Sequence, residues 1–448
     1  MSGQLSSITE RLALRLAEPV APEDRARARL HLLDWVGCAV AGAREPDCGR
    51  VRTLAAAEGV GPCRVIGGGW VGPQAAALAN GPAGAILEMD DVDRRALLHP
   101  GPVVMPAVLA LSDALGTVEG DAALDAIVRG YEAMIRIGRA SGASHYRFFH
   151  PTGTCGGFGA AAAGSSLMGL DVERTSWALG LAGQQASGLW RARHEPGSVK
   201  ALHDGRAAAN GMAAALLARD GFRGPLRVLE GDQGFFQAMA PESDPEAVMA
   251  PASGWVLHDV SFKPHAACRH AHPAIDAALA LRDRVGVPQS VTVETYRDAV
   301  LFCDKPAPTT PAEGKFSLQH SVAVALIHGD AGLERFEPGA LTDPAVAGLR
   351  SRITVETADD LTAAYPARFG ARLMAVSGGI EYRAQALDAL GDPENPLSSE
   401  AVRAKAAALM AWGGMATDAA DRLIAVVEGL GLTTTAADLS NALPGEDA

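Results

Sequence analysis

The sequence predicts a mainly α protein in which a large all-helical domain is built from both chain ends and a smaller α+β domain is inserted before the C-terminal helices. Three observations predict it. Apolar residues recur at helical spacing through most of the first 260 residues. β-Branched residues alternate in short runs between about residues 291 and 383, and helical spacing returns after Pro396. The corresponding boundaries are 1–264 and 392–448 for the two parts of the helical domain and 265–391 for the α+β domain. Aromatic residues make up only 5% of the chain against 48% hydrophobic residues, many of them alanine, which favours close-packed helices over a sheet sandwich.

Ser7-x-x-Glu10 has the form of a capping box, so a first helix starts there. Pro22, suited to a first turn, opens a longer helix through Ala41 with Leu30, Leu33, Val36 and Val40 on one face and Gly42 as its stop. Further helices are expected at about 103–115, 121–140, 156–169, 173–187, 203–220 and 271–286, joined by Gly- and Pro-rich turns. Residues 291–296 and 352–356 are expected strands with a helix at about 315–328 between them, and 372–376, Ser377-Gly378-Gly379 and 380–383 have the pattern of strand, turn and strand. Residues 400–412 form the clearest of the returning helices.

A net charge of −13 and the lack of any Lys/Arg cluster argue against nucleic acid, which needs a basic face. They do not argue against a small anion. Diffuse surface charge is screened over roughly 10 Å, whereas one lysine at contact distance is worth about 4 kcal/mol at an effective dielectric near 20. The six cysteines have no CxxC pair and no zinc-like spacing, as expected for free thiols in a reducing compartment. The first residues carry Glu10, Arg11 and Arg15 in an amphipathic pattern unlike a targeting peptide, and no apolar run approaches the roughly 18 residues of a membrane span. A cytoplasmic protein without membrane contact is expected.

The segment from Leu87 to Pro100 packs Glu88, Asp90, Asp91 and Asp93 with two arginines and His99 between apolar flanks, a density of ionisable groups that is costly to bury without purpose. Its spacing suits no metal-ligand motif, so no metal is expected; acid–base work and helix capping remain as readings. His99 precedes Pro100 and is therefore expected outside a helix. His150, ahead of Pro151 and a Gly/Ala-rich run, is expected at a helix N-terminus, whose free amides and dipole suit a carboxylate; the alternative is a core histidine beside a close-packed helix. Lys200 opens another small-residue helix, and a loop between Phe262 and Pro273 supplies Lys263, Cys268 and Arg269. Its His265, His270 and His272 lack metal-ligand spacing, so an anion-binding loop is the better reading.

Taken together these segments resemble the MmgE/PrpD family, which includes 2-methylcitrate dehydratase, cis-aconitate decarboxylase and iminodisuccinate epimerase. The likeness lies in Asn80-Gly81 through His99-Pro100, Gly130-Tyr131-Glu132, His150-Pro151 with its Gly/Ala helix, and Lys200 to Gly211. It continues in Gly224-Pro225, Phe262-Lys263-Pro264, His272-Pro273-Ala274-Ile275-Asp276 and Lys315-Phe316-Ser317. The resemblance implies a homodimer with a cofactor-free site between its domains that handles small di- or tricarboxylates, with His99, His150, Lys200 and Lys263 as site residues. The chain departs from the family pattern at Glu88, Val92 and Ala85, at Cys268 where the decarboxylase branch has a histidine, and at His320 where a tyrosine is usual.

The expected activity is that of a lyase, dehydratase-like, working by proton abstraction α to a carboxylate; epimerisation, decarboxylation and carboxylate binding without catalysis are the alternatives. His99 and His150 would move protons, Lys200 and Lys263 would stabilise the enediolate charge, and Glu88, Asp90 or Asp91 would orient a histidine. Arg269, Tyr146, Arg147, Cys268, His320 and Asp91 are expected to contact substrate.

Overall fold

The structure, a computed structural model, describes residues 7–193 and 197–446. It is mainly helical with one small α+β part. Helix Ile8–Leu16 starts at the expected capping box, and helix Pro22–Gly42 runs to the expected stop. Helices Gly101–Leu115, Gly120–Tyr146, Val172–Gly183 and His272–Val285 lie within a few residues of expectation. Pro151–Leu167 and Val199–Arg219 begin four to five residues earlier than expected. That difference matters, because it puts His150 at an N-cap and Lys200 in a first turn. Helices Pro46–Ala57 and Pro73–Ala85 were not singled out in the sequence, and neither was the hairpin of Val60–Arg64 with Trp70–Val71. Pro73–Ala85 is buried along nearly its whole length, so it has no polar stripe from which a helical period could be read.

In the α+β part four strands lie in the order Ile353–Thr357, Ser290–Thr295, Ala371–Ser377, Ile380–Ala386. The first two pair in parallel, Val291 opposite Ile353, and the others pair antiparallel. Gly378 and Gly379, at φ 58° and 78°, make the two-residue turn of the last hairpin, a conformation that residues with a side chain resist. Helices His272–Val285 and Leu318–His328 cover one face.

The buried apolar residues form two large clusters. One runs from Ile8 to Val260 and takes in Ala406, Met410, Leu423, Ile424 and Val427, so helices Ser399–Trp412 and Thr417–Gly429 pack against the N-terminal part of the chain. The other gathers the residues of 266–375 together with Leu87, Met89 and Leu409. Leu87 and Met89 thus anchor the acidic segment in the second cluster, while Glu88 and Asp90, alternating with them, face away toward the lysines.

Two close helix contacts bring those lysines into place. Gly81 of Pro73–Ala85 meets Gly205 of Val199–Arg219, where a Cβ on Gly205 would stand 2.3 Å from the Leu78 carbonyl oxygen. Only paired glycines let these backbones approach so closely, and the approach lays the first turn of one helix, with Lys200, beside the residues that follow the other. No helix among the described residues is long and apolar enough to cross a membrane.

Candidate active site

A cavity of about 660 Å³ opens between the two clusters, lined by Glu88, His99, Tyr146, His150, Lys200, Cys268, Arg269 and Lys315 among others. Glu88, Lys200 and His99 of this lining belong to a row of alternating charges that continues beneath the cavity through the buried Lys263 and Asp90, which corrects the expectation that Lys263 contacts substrate. Glu88 accepts from the Lys200 ammonium through Oε1, and its Oε2 lies 3.6 Å from Lys263 Nζ. Lys263 Nζ donates to Asp90 Oδ1 at 3.0 Å, and Asp90 Oδ2 lies 2.7 Å from His99 Nδ1. Glu88 has φ 59°, an uncommon conformation for a residue with a side chain, and it is held there by both lysines and by its own N–H donating to the Ala85 carbonyl.

Burial alone would push the two carboxyls up, but the lysines and the Nδ1–H of His99 that face them outweigh it. Lys200 and Lys263 hold Glu88 below its ordinary value, and His99 and Lys263 hold Asp90 well below. Lys200, which burial would lower, is raised by Glu88 and Asp90. Two carboxylates held below their ordinary value thus face Lys200 and Lys263.

His99 Nδ1 faces acceptors only, Asp90 Oδ2 and the Asp91 carbonyl at 2.8 Å, so Nδ1 carries the proton and Nε2 is the nitrogen left to exchange one with a ligand. Its main-chain N–H donates to Thr152 Oγ1 at 3.1 Å, tying it to the helix that His150 caps. His150 is in the extended N-cap conformation expected before Pro151, stacks on Trp190 at 4.5 Å, and has Nδ1 3.2 Å from His203 Nδ1. Burial, and then Lys200, His203 and His99, hold His150 well below its ordinary value, so it is a neutral imidazole at neutral pH. Of two neutral rings meeting Nδ1 to Nδ1, one must donate. When His203 donates, the His150 proton sits on Nε2.

Other residues named from the sequence have different surroundings. Tyr146 lines the cavity, with its ring near Trp190 and Phe302. Cys268 lines it too; a hydrogen bond with Cys303 lowers its thiol against the upward push of burial. Arg269 borders the cavity, but its guanidinium pairs with the buried Asp392. Three further placements correct the sequence expectation of substrate contact. Asp91 accepts from Gly101 N–H, Tyr131 and the His31 ring, so its carboxylate braces the loop beneath the cavity. Arg147 is exposed with its guanidinium over Phe148, because one residue past Tyr146 on a helix turns to another face. His320 is buried between the Arg335 carbonyl and Arg350, outside the cavity lining. In the Phe262–Pro273 loop, His270 hydrogen-bonds Tyr296 and stacks on Phe302 and Phe369, while His272 faces the Ala267 carbonyl and Arg269.

Three residues near the cavity are not among the site residues expected from the sequence. His203 lies three residues after Lys200, on the same side of a helix, a spacing that could have drawn attention to it. Lys315, which carries part of the family likeness but no expected role, ends the short helix Pro311–Lys315. Lys405, on helix Ser399–Trp412, donates at 2.6 Å both to Asp34 Oδ1 and to the Met89 carbonyl between Glu88 and Asp90. Some 315 residues of chain separate it from that carbonyl, so nothing local could have revealed it.

The MmgE/PrpD N-terminal domain pattern matches residues 8–248 and the MmgE/PrpD C-terminal domain pattern residues 265–431. The chain is 33% identical over 358 residues to the cis-aconitate decarboxylase-like protein oryM of Aspergillus oryzae, covering 73% of this chain and 74% of that one. It is 27% identical to the cis-aconitate decarboxylase of Homo sapiens, over 80% of this chain and 76% of that one. To the 2-methylcitrate dehydratase of Cupriavidus necator it is 27% identical over 45% of this chain and 44% of the other. With both patterns matched in order along most of its length, the chain belongs to the MmgE/PrpD family and is an enzyme of its lyase type.

Proposed function

We propose that this enzyme is a lyase that removes a proton α to a carboxylate of a small di- or tricarboxylate and then expels water. The observation that carries the reading is the row of charged side chains at the cavity, where His99, with Nε2 left for a ligand, stands in line with Asp90, Lys263, Glu88 and Lys200. His99 Nε2 takes the α-proton, and Nδ1, bonded to the Asp91 carbonyl and 2.7 Å from the Asp90 carboxylate, carries the resulting positive charge. The electron pair spreads onto the adjacent carboxylate, where Lys200 and Lys263 stabilise it; charge already fixed in place before the reaction costs no reorganisation during it. Neutral His150, with Nε2 protonated through His203, delivers a proton to the departing hydroxyl. One C–H and one C–O bond break, a C=C bond forms, and water leaves.

Decarboxylation is a second reading, supported by the greater share of chain matched to proteins named for cis-aconitate decarboxylation than to the dehydratase. There the C–C bond to a carboxylate breaks, carbon dioxide leaves, and a histidine protonates the same stabilised carbanion. Incubation with citrate and cis-aconitate in deuterated water separates the readings: an unsaturated acid from citrate supports dehydration, released carbon dioxide supports decarboxylation, and solvent deuterium at the α-carbon alone supports epimerisation. Neither product nor exchange would sink all three and leave a carboxylate-binding protein. Replacing His150 by Ala is expected to cost about 10²–10⁴ in rate, and unchanged turnover removes it from the mechanism. Assembly as a homodimer belongs to the same proposal, and sedimentation velocity tests it.

A further inference from the structure

We infer that Lys315 is the anchor for a second substrate carboxylate, and that it makes the site selective for polycarboxylates over monocarboxylates. The inference rests on the carboxylate reading above. It starts from an inventory of the cations around the cavity. Lys200 is bonded to Glu88, Lys263 to Asp90, and Arg269 to Asp392. Each of these positive charges already has a negative partner. Lys315 lines the same cavity, but its Nζ donates only to the Leu87 carbonyl, at 3.1 Å, and among the described residues no carboxylate lies within 4 Å of it. Lys305, also at the cavity, sits with its ammonium 5.6 Å from the Phe316 ring.

Position distinguishes Lys315 from a solvated surface lysine. Leu87 is the residue before Glu88, so the Lys315 ammonium is held against the backbone of the segment that carries Glu88 and Asp90. Burial lowers its pKa, outweighing the opposite pull of Glu88, Glu45 and Glu337, none of which is bonded to it. The backbone supports it as well, since Cys268 N–H donates to the Lys315 carbonyl at 2.9 Å, joining the segment that carries Lys263 to the one that carries Lys315. Glu88 and Asp90 bond Lys200 and Lys263, whereas Lys315, against the backbone of the same segment, has no bonded carboxylate among the described residues. A dianionic or trianionic acid can set one carboxylate between Lys200 and the histidines and another on Lys315. A monoanion can satisfy only one of them.

The experiment is calorimetric binding of two unreactive probes, propane-1,2,3-tricarboxylate and butyrate, to the full-length enzyme and to its Lys315→Gln and Lys315→Arg variants, with the thermal midpoint of each as a check on folding. Gln keeps a donor for the Leu87 carbonyl but loses the charge. The expected result is that Lys315→Gln weakens the tricarboxylate by at least about tenfold, the scale of a lost charge-assisted hydrogen bond. Butyrate should change by less than twofold, and Lys315→Arg should recover most of the loss. Tricarboxylate binding within twofold of the parent in Lys315→Gln would overturn the inference, as would equal weakening of both probes. Proton exchange by the parent on citrate and cis-aconitate, measured in parallel, keeps the two proposals separate. Exchange with an unaffected variant sinks the anchor alone, and selective weakening without any exchange sinks the catalytic reading alone.

Discussion

Lys405→Met is the sharpest test of how the two ends of the chain build the site. The Lys405 side chain is 7% exposed and that of Asp34 1%, and they meet at 2.6 Å. Burial already lifts the Asp34 carboxyl to about 6 against the pull of Lys405, and its Oδ2 has no partner. Removing the ammonium leaves a buried, uncompensated carboxyl, a loss of about 3–5 kcal/mol. With an unfolding entropy of about 2 cal/mol/K per residue, a chain of this length loses roughly 1 °C per kcal/mol, so the thermal midpoint should fall by about 3–5 °C. The fall should depend on pH. Without Lys405 the folded-state pKa of Asp34 rises further above its unfolded value, so the folded protein binds the extra proton and stability is lost as pH rises through that raised pKa. The deficit is therefore larger at pH 8 than at pH 5. Combining Lys405→Met with Asp34→Asn should restore most of the midpoint, because a neutral pair leaves no buried charge unpaired. Turnover should stay reduced in the double variant, since the Met89 carbonyl between Glu88 and Asp90 has still lost its donor. A single variant within 1 °C of the parent at pH 8, or a double variant no more stable than the single, would refute the reasoning.

Two further predictions concern the whole fold. His31 and His320, both lowered to about 4 by burial, are held neutral inside the protein and take up protons on unfolding below about pH 6.5. Unfolded chain then binds more protons than folded, so stability falls as pH drops from 6.5 toward 4, by up to about 3 kcal/mol for each histidine. Asp34 opposes this in part over the same window, and replacing His31 and His320 by Gln should flatten a plot of thermal midpoint against pH; an unchanged slope would count against it. Gly205→Ala places a Cβ 2.3 Å from the Leu78 carbonyl oxygen and should force two buried helices apart. Denaturation midpoints should drop, and carboxylate binding should weaken as Lys200 moves from Glu88; a variant with the parent's midpoint and affinity would show that the helix contact does not position the lysine.

Much of the fold was legible in the sequence because its signals are local. Capping at Ser7, the proline at 22, the glycine pair at 378–379 and the β-branched alternation at 291–296 each act within a few residues. Helix Pro73–Ala85 escaped notice because burial on all sides erases the period that marks an amphipathic helix. The small residues that start Pro151–Leu167 likewise hide its first turn. In the cavity, the expected residues Glu88, His99, His150, Lys200, Tyr146, Cys268 and Arg269 are brought together, while Asp91, Arg147 and His320 have partners elsewhere.

The sequence by itself determined that this is a helical protein with an α+β insertion, that the segment at 87–100 carries an unusual load of ionisable groups, and that several lysines and histidines accompany it along the chain. Those properties are set by residue type and near-neighbour spacing. Only the tertiary structure decided which charges pair. Lys200 and Lys263 are bonded to Glu88 and Asp90, Arg269 to Asp392, and Lys315 to no described carboxylate. Lys405 is joined to the acidic segment from the far end of the chain. Coulomb energy falls with distance through space and takes no account of separation along the chain. A pairing across 112, 173 or 371 residues therefore exists only once the helices that carry it have packed.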